Sequence, residues 1–129
     1  MVKLLLDTCT FLWMNLDSPE LSKRAREFLE SPESDLYLSA VSASEIALKE
    51  SLGRLKLPKP AARYVPWRRE VNGIQPLPVD EESALHLPKL PPLHSDPFDR
   101  MLVCQALVHG MALLTPDEAI ARYPVRVVW

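Results

Sequence analysis

Five carboxylates in this chain sit where chemistry is possible. Asp7 ends the apolar run Val2–Leu6, and Glu45 lies early in a helical stretch from Ser39 to Glu50. Asp96 and Asp99 fall at the start of a helix that Gly110 stops, and Asp117 follows the apolar run Met111–Leu114. Each has a structural explanation. Ser42-Ala43-Ser44-Glu45 and Thr115-Pro116-Asp117-Glu118 match capping boxes. Asp96 before Pro97 reads as an N-cap, and Asp99 in the first turn favours the helix dipole. Their joint placement points further. A strand that ends in a buried, unpaired carboxylate is costly, and parallel strands would bring their carboxyl ends, and these acids, to one edge. Two carboxylates ~5 Å apart repel by about 3 kcal/mol at an effective dielectric near 20. A cluster of four needs a counter-cation, and oxygen donors favour Mg²⁺ or Mn²⁺ over zinc. Such an ion suits phosphodiester hydrolysis, because it activates a water and shields the phosphate's charge.

The elements that must position these acids alternate between strand and helix. Val2–Leu6 reads as a strand buried on both faces, followed by a helix over Thr10–Leu16 that is apolar nearly all round. A surface that apolar suggests a subunit or partner contact as well as core. Ser18-Pro19 opens the next helix, Leu36–Leu38 is a strand, and Ser39–Glu50 is helical. Ala61–Val71 has helical composition with Pro66 expected to split it. Ile74–Val79 reads as an edge strand because it holds two prolines. Asp80 caps a short helix, a proline-rich loop leads to His94, and Arg126–Trp129 is a last strand. The alternation predicts an α/β chain: a three-layer α/β/α sandwich around a mostly parallel sheet of about five strands, in a single domain over residues 1–129.

Bulk properties narrow the class. With 129 residues, 47% hydrophobic and 25% charged, the chain is of ordinary globular composition. No apolar stretch reaches membrane-spanning length and no signal-peptide pattern is visible, so a cytoplasmic protein without a membrane partner is expected. Cys9 and Cys104 form neither a metal spacing nor a disulfide framework. The formal charge of −2 does not advertise nucleic-acid binding, but its distribution is uneven. From Lys49 to Arg69 there are seven basic side chains against one acid, Glu50.

Four segments, LLDTCTFLW, SAVSASEIALKESLGRLKLP, SDPFDRMLVCQAL and LLTPDEAIARYPV, closely resemble the PIN-domain family, and within it the VapC-like toxins of type II toxin–antitoxin systems. The resemblance covers nearly the whole chain in the right order. It implies a Mg²⁺- or Mn²⁺-dependent endoribonuclease whose four catalytic acids map onto Asp7, Glu45, Asp99 and Asp117. It makes Asp7, Asp96, Asp99 and Asp117 the expected metal-holding set, with Thr115 supporting. It further implies a homodimer and a cognate antitoxin. The basic segment would hold RNA, with Lys49, Arg54, Lys56 and Arg100 as the expected contacts. There are departures: Cys9 stands where related sequences frequently carry His, Ser44 where many have Trp, and Ile120 where an aromatic is usual. None removes a carboxylate.

His94, two residues before Asp96, reads as a loop residue or a phosphate contact rather than a ligand or base. Two rival functions fit parts of the pattern. One is a non-catalytic RNA- or protein-binding module in which the acids are only caps. The other is an α/β phosphatase with an aspartyl nucleophile, disfavoured because Cys9 replaces the second acid.

Overall fold

The computed structural model describes residues 1–129. Its centre is a parallel sheet of β1 (Val2–Leu6), β2 (Ser34–Ser39), β3 (Gln75–Leu77), β4 (Ala112–Leu114) and β5 (Val127–Val128), in the spatial order β3-β2-β1-β4-β5. β1 is central: Leu4 lies opposite Leu36 on one side and Ala112 on the other. Successive strand side chains point to opposite faces, so the apolar run of β1 feeds two cores. Leu4 and Leu6 pack with Phe11, Ala25, Ile46 and Tyr64, while Leu5 packs with Leu102, Val103, Leu113 and Ile120. The first core is closed by α1 (Thr8–Asn15), α2 (Lys23–Glu30), α3 (Ala40–Ser51) and α4 (Ala61–Val71). The other face carries α6 (Pro97–His109) and α7 (Glu118–Ala121), with α5 (Glu81–Leu85) packed against α6. This is the expected α/β/α sandwich, and β3 is indeed an edge strand.

The strand order reverses between β1 and β4. Chain leaving β1 builds outward through β2 and β3, then returns to add β4 and β5 on β1's other side. Ligands of open α/β sheets bind outside the carboxyl ends at such a reversal. Asp7 follows β1 and Thr115 follows β4, so both flank it.

Three local expectations fail for identifiable reasons. The second helix starts at Lys23, capped by Ser22, because Ser18 Oγ instead accepts from Glu20 N in a turn that holds Pro19. Pro66 does not split α4, which runs unbroken through it. Pro66 and Ala62 are both exposed, so the carbonyl that loses its partner can be hydrated. Nor does either Ser42 or Thr115 open a capping box: Asp117 itself caps α7 through Ala119 N. Ser39 caps α3 through Val41 N, which puts Glu45 in the second turn, free of any capping duty.

Candidate active site

The reversal point is tied together by hydroxyls. Asp7 is buried, 5% exposed, and is the N-cap of α1: its Oδ1 accepts from Thr10 N at 2.8 Å. Its Oδ2 accepts from Thr115 Oγ1 at 2.5 Å, and Thr115 Oγ1 in turn accepts from Asp117 N at 3.1 Å. Thr10 Oγ1 donates to Leu114 O at 3.0 Å, a second link between the ends of β1 and β4. The Cys9 thiol lies 3.3 Å from both Asp7 oxygens. Burial raises the Asp7 pKa, although hydrogen bonds from Thr10, Thr115 and Cys9 oppose the shift. Burial, and then the Asp7 charge, push the Cys9 thiol well up, so it serves here as a protonated donor.

Asp99 and Asp117 meet across this point. Asp96 caps α6, accepting from Phe98 N at 2.8 Å and Asp99 N at 3.2 Å through Oδ1, and leaves Oδ2 without a partner. That start places Asp99 in the first turn of α6. Asp117 caps α7 through Ala119 N at 2.8 Å, again with one oxygen. His94 Nε2 lies 2.9 Å from Asp99 Oδ2, and one ligand atom each of His94, Asp99 and Asp117 lie within 4.8 Å of one another. Asp99 is pushed up to about 6 by burial, then by the neighbouring charges of Asp96, Asp117 and Glu45, against the His94 hydrogen bond that favours the ionised form. All of these acids therefore act on one carboxyl group.

Glu45, 7% exposed, projects from α3 into the same field. It pairs with Lys49 one turn later, Nζ to Oε2 at 2.9 Å. The Lys49 pKa is raised by that hydrogen bond against partial burial, with Glu45, Asp96 and Asp99 adding to it. Lys49 is thus a counter-ion of the acid cluster as well as a half-exposed base at its rim.

The four expected acids and Asp96 gather at the carboxyl edge, in two linked groups. Asp7 and Thr115 form a hydroxyl-bonded unit joined to Asp117 through its backbone, and Asp99 and Asp117 form the tighter group with His94. His94, read from the sequence as a loop residue or phosphate contact, is in direct contact with Asp99. The signal was available: a residue five before Asp99, on a segment that the Asp96-Pro97 cap turns back across the helix start, can reach that carboxylate. Arg54 and Lys56 are exposed in the segment after α3. Arg100 is used differently from the expected phosphate contact. Its guanidinium donates to Pro91 O at 3.2 Å, Tyr123 Oη at 3.0 Å, His94 O at 3.5 Å and Leu87 O at 3.4 Å, all within the protein.

The donor set fits a divalent cation. Glu45, Asp96, Asp99 and Asp117 bring four negative charges near one point, where burial has already raised one pKa, and Lys49 with His94 supplies the only direct ion-pair or ring contact to them. Oxygen atoms of Asp96 and Asp117 stand without hydrogen-bond partners. Such a site can lower the pKa of a bound water and offset charge developing on a phosphate.

Known proteins resemble this chain. The PIN domain family model matches residues 4–125. Ribonuclease VapC22 of Mycobacterium tuberculosis is 29% identical over the full length of both chains. Ribonuclease VapC16 of the same organism is 41% identical over 61 residues, 47% of this chain and 43% of that one, so the match spans less than half of that relative. Among solved structures, a chain of VapBC2 from Rickettsia felis, crystallised with a fragment of promoter DNA, superposes with a TM-score of 0.74 over 98% of both chains at 13% identity, a likeness of fold. The match from the first strand to the segment before the last, together with acids gathered where β1 and β4 diverge, gives the affiliation: this chain belongs to the PIN-domain family.

Proposed function

We propose that the protein is a Mg²⁺- or Mn²⁺-dependent endoribonuclease, the toxin of a type II toxin–antitoxin pair, acting in the cytoplasm on RNA phosphodiester bonds. The observation that carries the reading is the convergence of Glu45, Asp96 and Asp117 on Asp99, beside the β1–β4 reversal that Asp7 and Thr115 close. The names of the relatives support it: both are ribonucleases, and the similar fold is that of a VapBC complex. No helix is long and apolar enough to cross a membrane.

In this reading Asp7, Asp96, Asp99 and Asp117 hold the ion, directly or through water. Thr115 orients Asp7, and Glu45 orients the attacking water. The bound ion would supply the hydroxide nucleophile and charge neutralisation at the scissile phosphate. Asp7, fixed by Thr10 N and the Thr115 hydroxyl, cannot swing to solvent, so its orientation is set before substrate arrives. Lys49, Arg54 and Lys56 hold the RNA backbone, and Arg100 acts from behind by fixing the loop that carries His94. Products carry 5′-phosphate and 3′-hydroxyl ends. A homodimer and an antitoxin segment laid across the acids complete the assignment.

The test is to express the chain, with Asp99→Asn as its control, and sequence RNA ends bearing a 5′-monophosphate. New ends at a restricted set of sites, absent from the control, are expected. Identical end profiles from the two would remove the nuclease assignment and leave a binding module.

A further inference from the structure

We propose that His94 is itself a ligand of the divalent ion, through Nε2, beside Asp99 and Asp117, and that it shifts the site's preference from Mg²⁺ toward Mn²⁺. The inference rests on the metal-dependent reading above and adds to the acids a nitrogen donor from outside them.

Geometry carries it first. Two neighbouring ligands of an octahedral ion, each about 2.1 Å from it, stand about 3.0 Å apart, and opposite ligands about 4.2 Å apart. His94 Nε2 and Asp99 Oδ2 are 2.9 Å apart, and one ligand atom each of His94, Asp99 and Asp117 lie within 4.8 Å of one another. His94 and Asp99 have the spacing of adjacent ligands, and the Asp117 oxygen is near enough to join them in one shell with a side-chain shift of under about 1 Å.

The loop supplies an independent observation. His94 lies in an irregular proline-rich segment, yet its position is held from behind at the backbone. Its carbonyl accepts from Arg100 Nη1 at 3.5 Å and from the Tyr123 hydroxyl at 3.4 Å. Arg100 Nη1 also donates to Pro91 O and to Tyr123 Oη, and Nη2 to Leu87 O, so one guanidinium fastens the segment at three carbonyls. The ring, 24% exposed, is thereby presented to the acids by fixed backbone.

The chemistry then sets the preference. An imidazole nitrogen is a good donor to first-row transition ions and a poor one to Mg²⁺, which takes oxygen ligands and water. Ligation needs the neutral ring with its proton on Nδ1, so the Nε2–H that can bond Asp99 here must give way to a lone pair. His86 and His109 do not compete for the role: His109 is bonded to Asp80 at 2.7 Å, and neither belongs to the ligand group.

The test uses the full chain stripped of metal and then loaded with MnCl₂ or MgCl₂ alone. Pulsed electron paramagnetic resonance of the Mn²⁺-loaded protein should show modulation from a directly bound ¹⁴N nucleus, lost in His94→Gln. Calorimetric titration should show that variant binding Mn²⁺ at least about 10-fold more weakly, with Mg²⁺ affinity changed by less than about 3-fold. Bound Mn²⁺ without nitrogen modulation in the unsubstituted chain would overturn the His94 assignment and leave the carboxylate site standing, and that measurement does not depend on how the variant folds. Equal weakening of both ions in His94→Gln would overturn the preference. Absence of Mn²⁺ binding altogether, with Asp99→Asn indistinguishable from the parent, would overturn the metal-dependent reading and this inference together.

Discussion

At the scale of single residues, Asp99 sits in an environment at odds with its charge. Burial and three neighbouring carboxylates favour its protonated form, lifting it to about 6. The folded state therefore binds this proton more tightly than the unfolded chain does. Its contribution to stability is greatest below the ordinary carboxylate value of 3.8 and is lost as pH rises through about 6. Asp7, raised by burial, shifts stability in the same direction. Metal-free protein should accordingly become less stable between pH 4 and pH 6.5 over and above what its other groups contribute, and Asp99→Asn should remove much of that slope. We expect Asp99→Asn to stabilise the metal-free chain at pH 7.5 by about 1–3 kcal/mol while abolishing Mn²⁺ binding. Urea denaturation in the presence of a chelator, at several pH values, measures the first effect and calorimetry the second. A variant less stable than its parent at pH 7.5 would mean that the cluster is not under electrostatic strain. The same tightly held proton opposes metal, so Mn²⁺ affinity should fall as pH drops through 6.

At the scale of elements, cap and ligand turn out to be compatible duties. Asp7, Asp96 and Asp117 are the N-caps of α1, α6 and α7, and each helix start aims its acid at the same sheet edge. Asp96 and Asp117 satisfy the backbone with Oδ1 alone, which leaves the second oxygen for an ion. Asparagine caps a helix about as well as aspartate, whereas alanine costs about 0.5–2 kcal/mol. Asp96→Asn and Asp117→Asn should therefore melt close to the parent without metal, while the alanine versions melt lower. Asp117→Asn should lose Mn²⁺-dependent stabilisation despite its intact fold. Equal stabilisation by Mn²⁺ in Asp117→Asn and the parent would leave Asp117 with capping as its only duty. The α6 cap was legible because local rules write it, Asp96-Pro97 and the glycine stop at Gly110 marking that helix to its ends, whereas Asp7 and Asp117 were not read as N-caps. The start of α3 was read correctly near Ser39, but the capping box at Ser42 was not, since both serines are plausible caps and only the end of β2 decides between them. Whether Asp7 meets Thr115, 108 residues away in sequence, depends on strand order, which no local pattern carries. The family resemblance marked Thr115 as supporting the site, but the strand order that brings it to Asp7 is seen only in the fold.

At the scale of the whole molecule, a chain of net charge −2 must hold a polyanion beside its own acids. Long-range attraction cannot do this, because the Debye length is about 8 Å at physiological salt, so the cations that matter are those near the hollow. Lys49 lies at the rim and is partly engaged by Glu45, while Arg54 and Lys56 are exposed and free of ion pairs just beyond α3. Lys59 and Arg68 are drawn to the Trp67 ring, 4.3 and 4.9 Å from its centre, and so are less available than the raw count of basic residues suggests. If about three cations meet phosphates, single-strand binding should follow log K against log salt with a slope near −2, since each contact contributes about −0.7. Replacing Arg54 or Lys56 by Ala should each reduce that slope by about 0.7, weaken binding across sequences alike, and leave Mn²⁺ affinity unchanged. Arg100→Ala should act in the opposite sense, weakening the ion through the loosened His94 loop with little change in slope. Fluorescence anisotropy of a labelled oligonucleotide over a salt series, in catalytically silent Asp99→Asn backgrounds, reads the slope, and Mn²⁺ calorimetry of the same substitutions with Asp99 intact reads the ion, which together separate the two kinds of cation. A slope lost with Arg100 and kept without Arg54 and Lys56 would move the RNA path to the other side of the hollow.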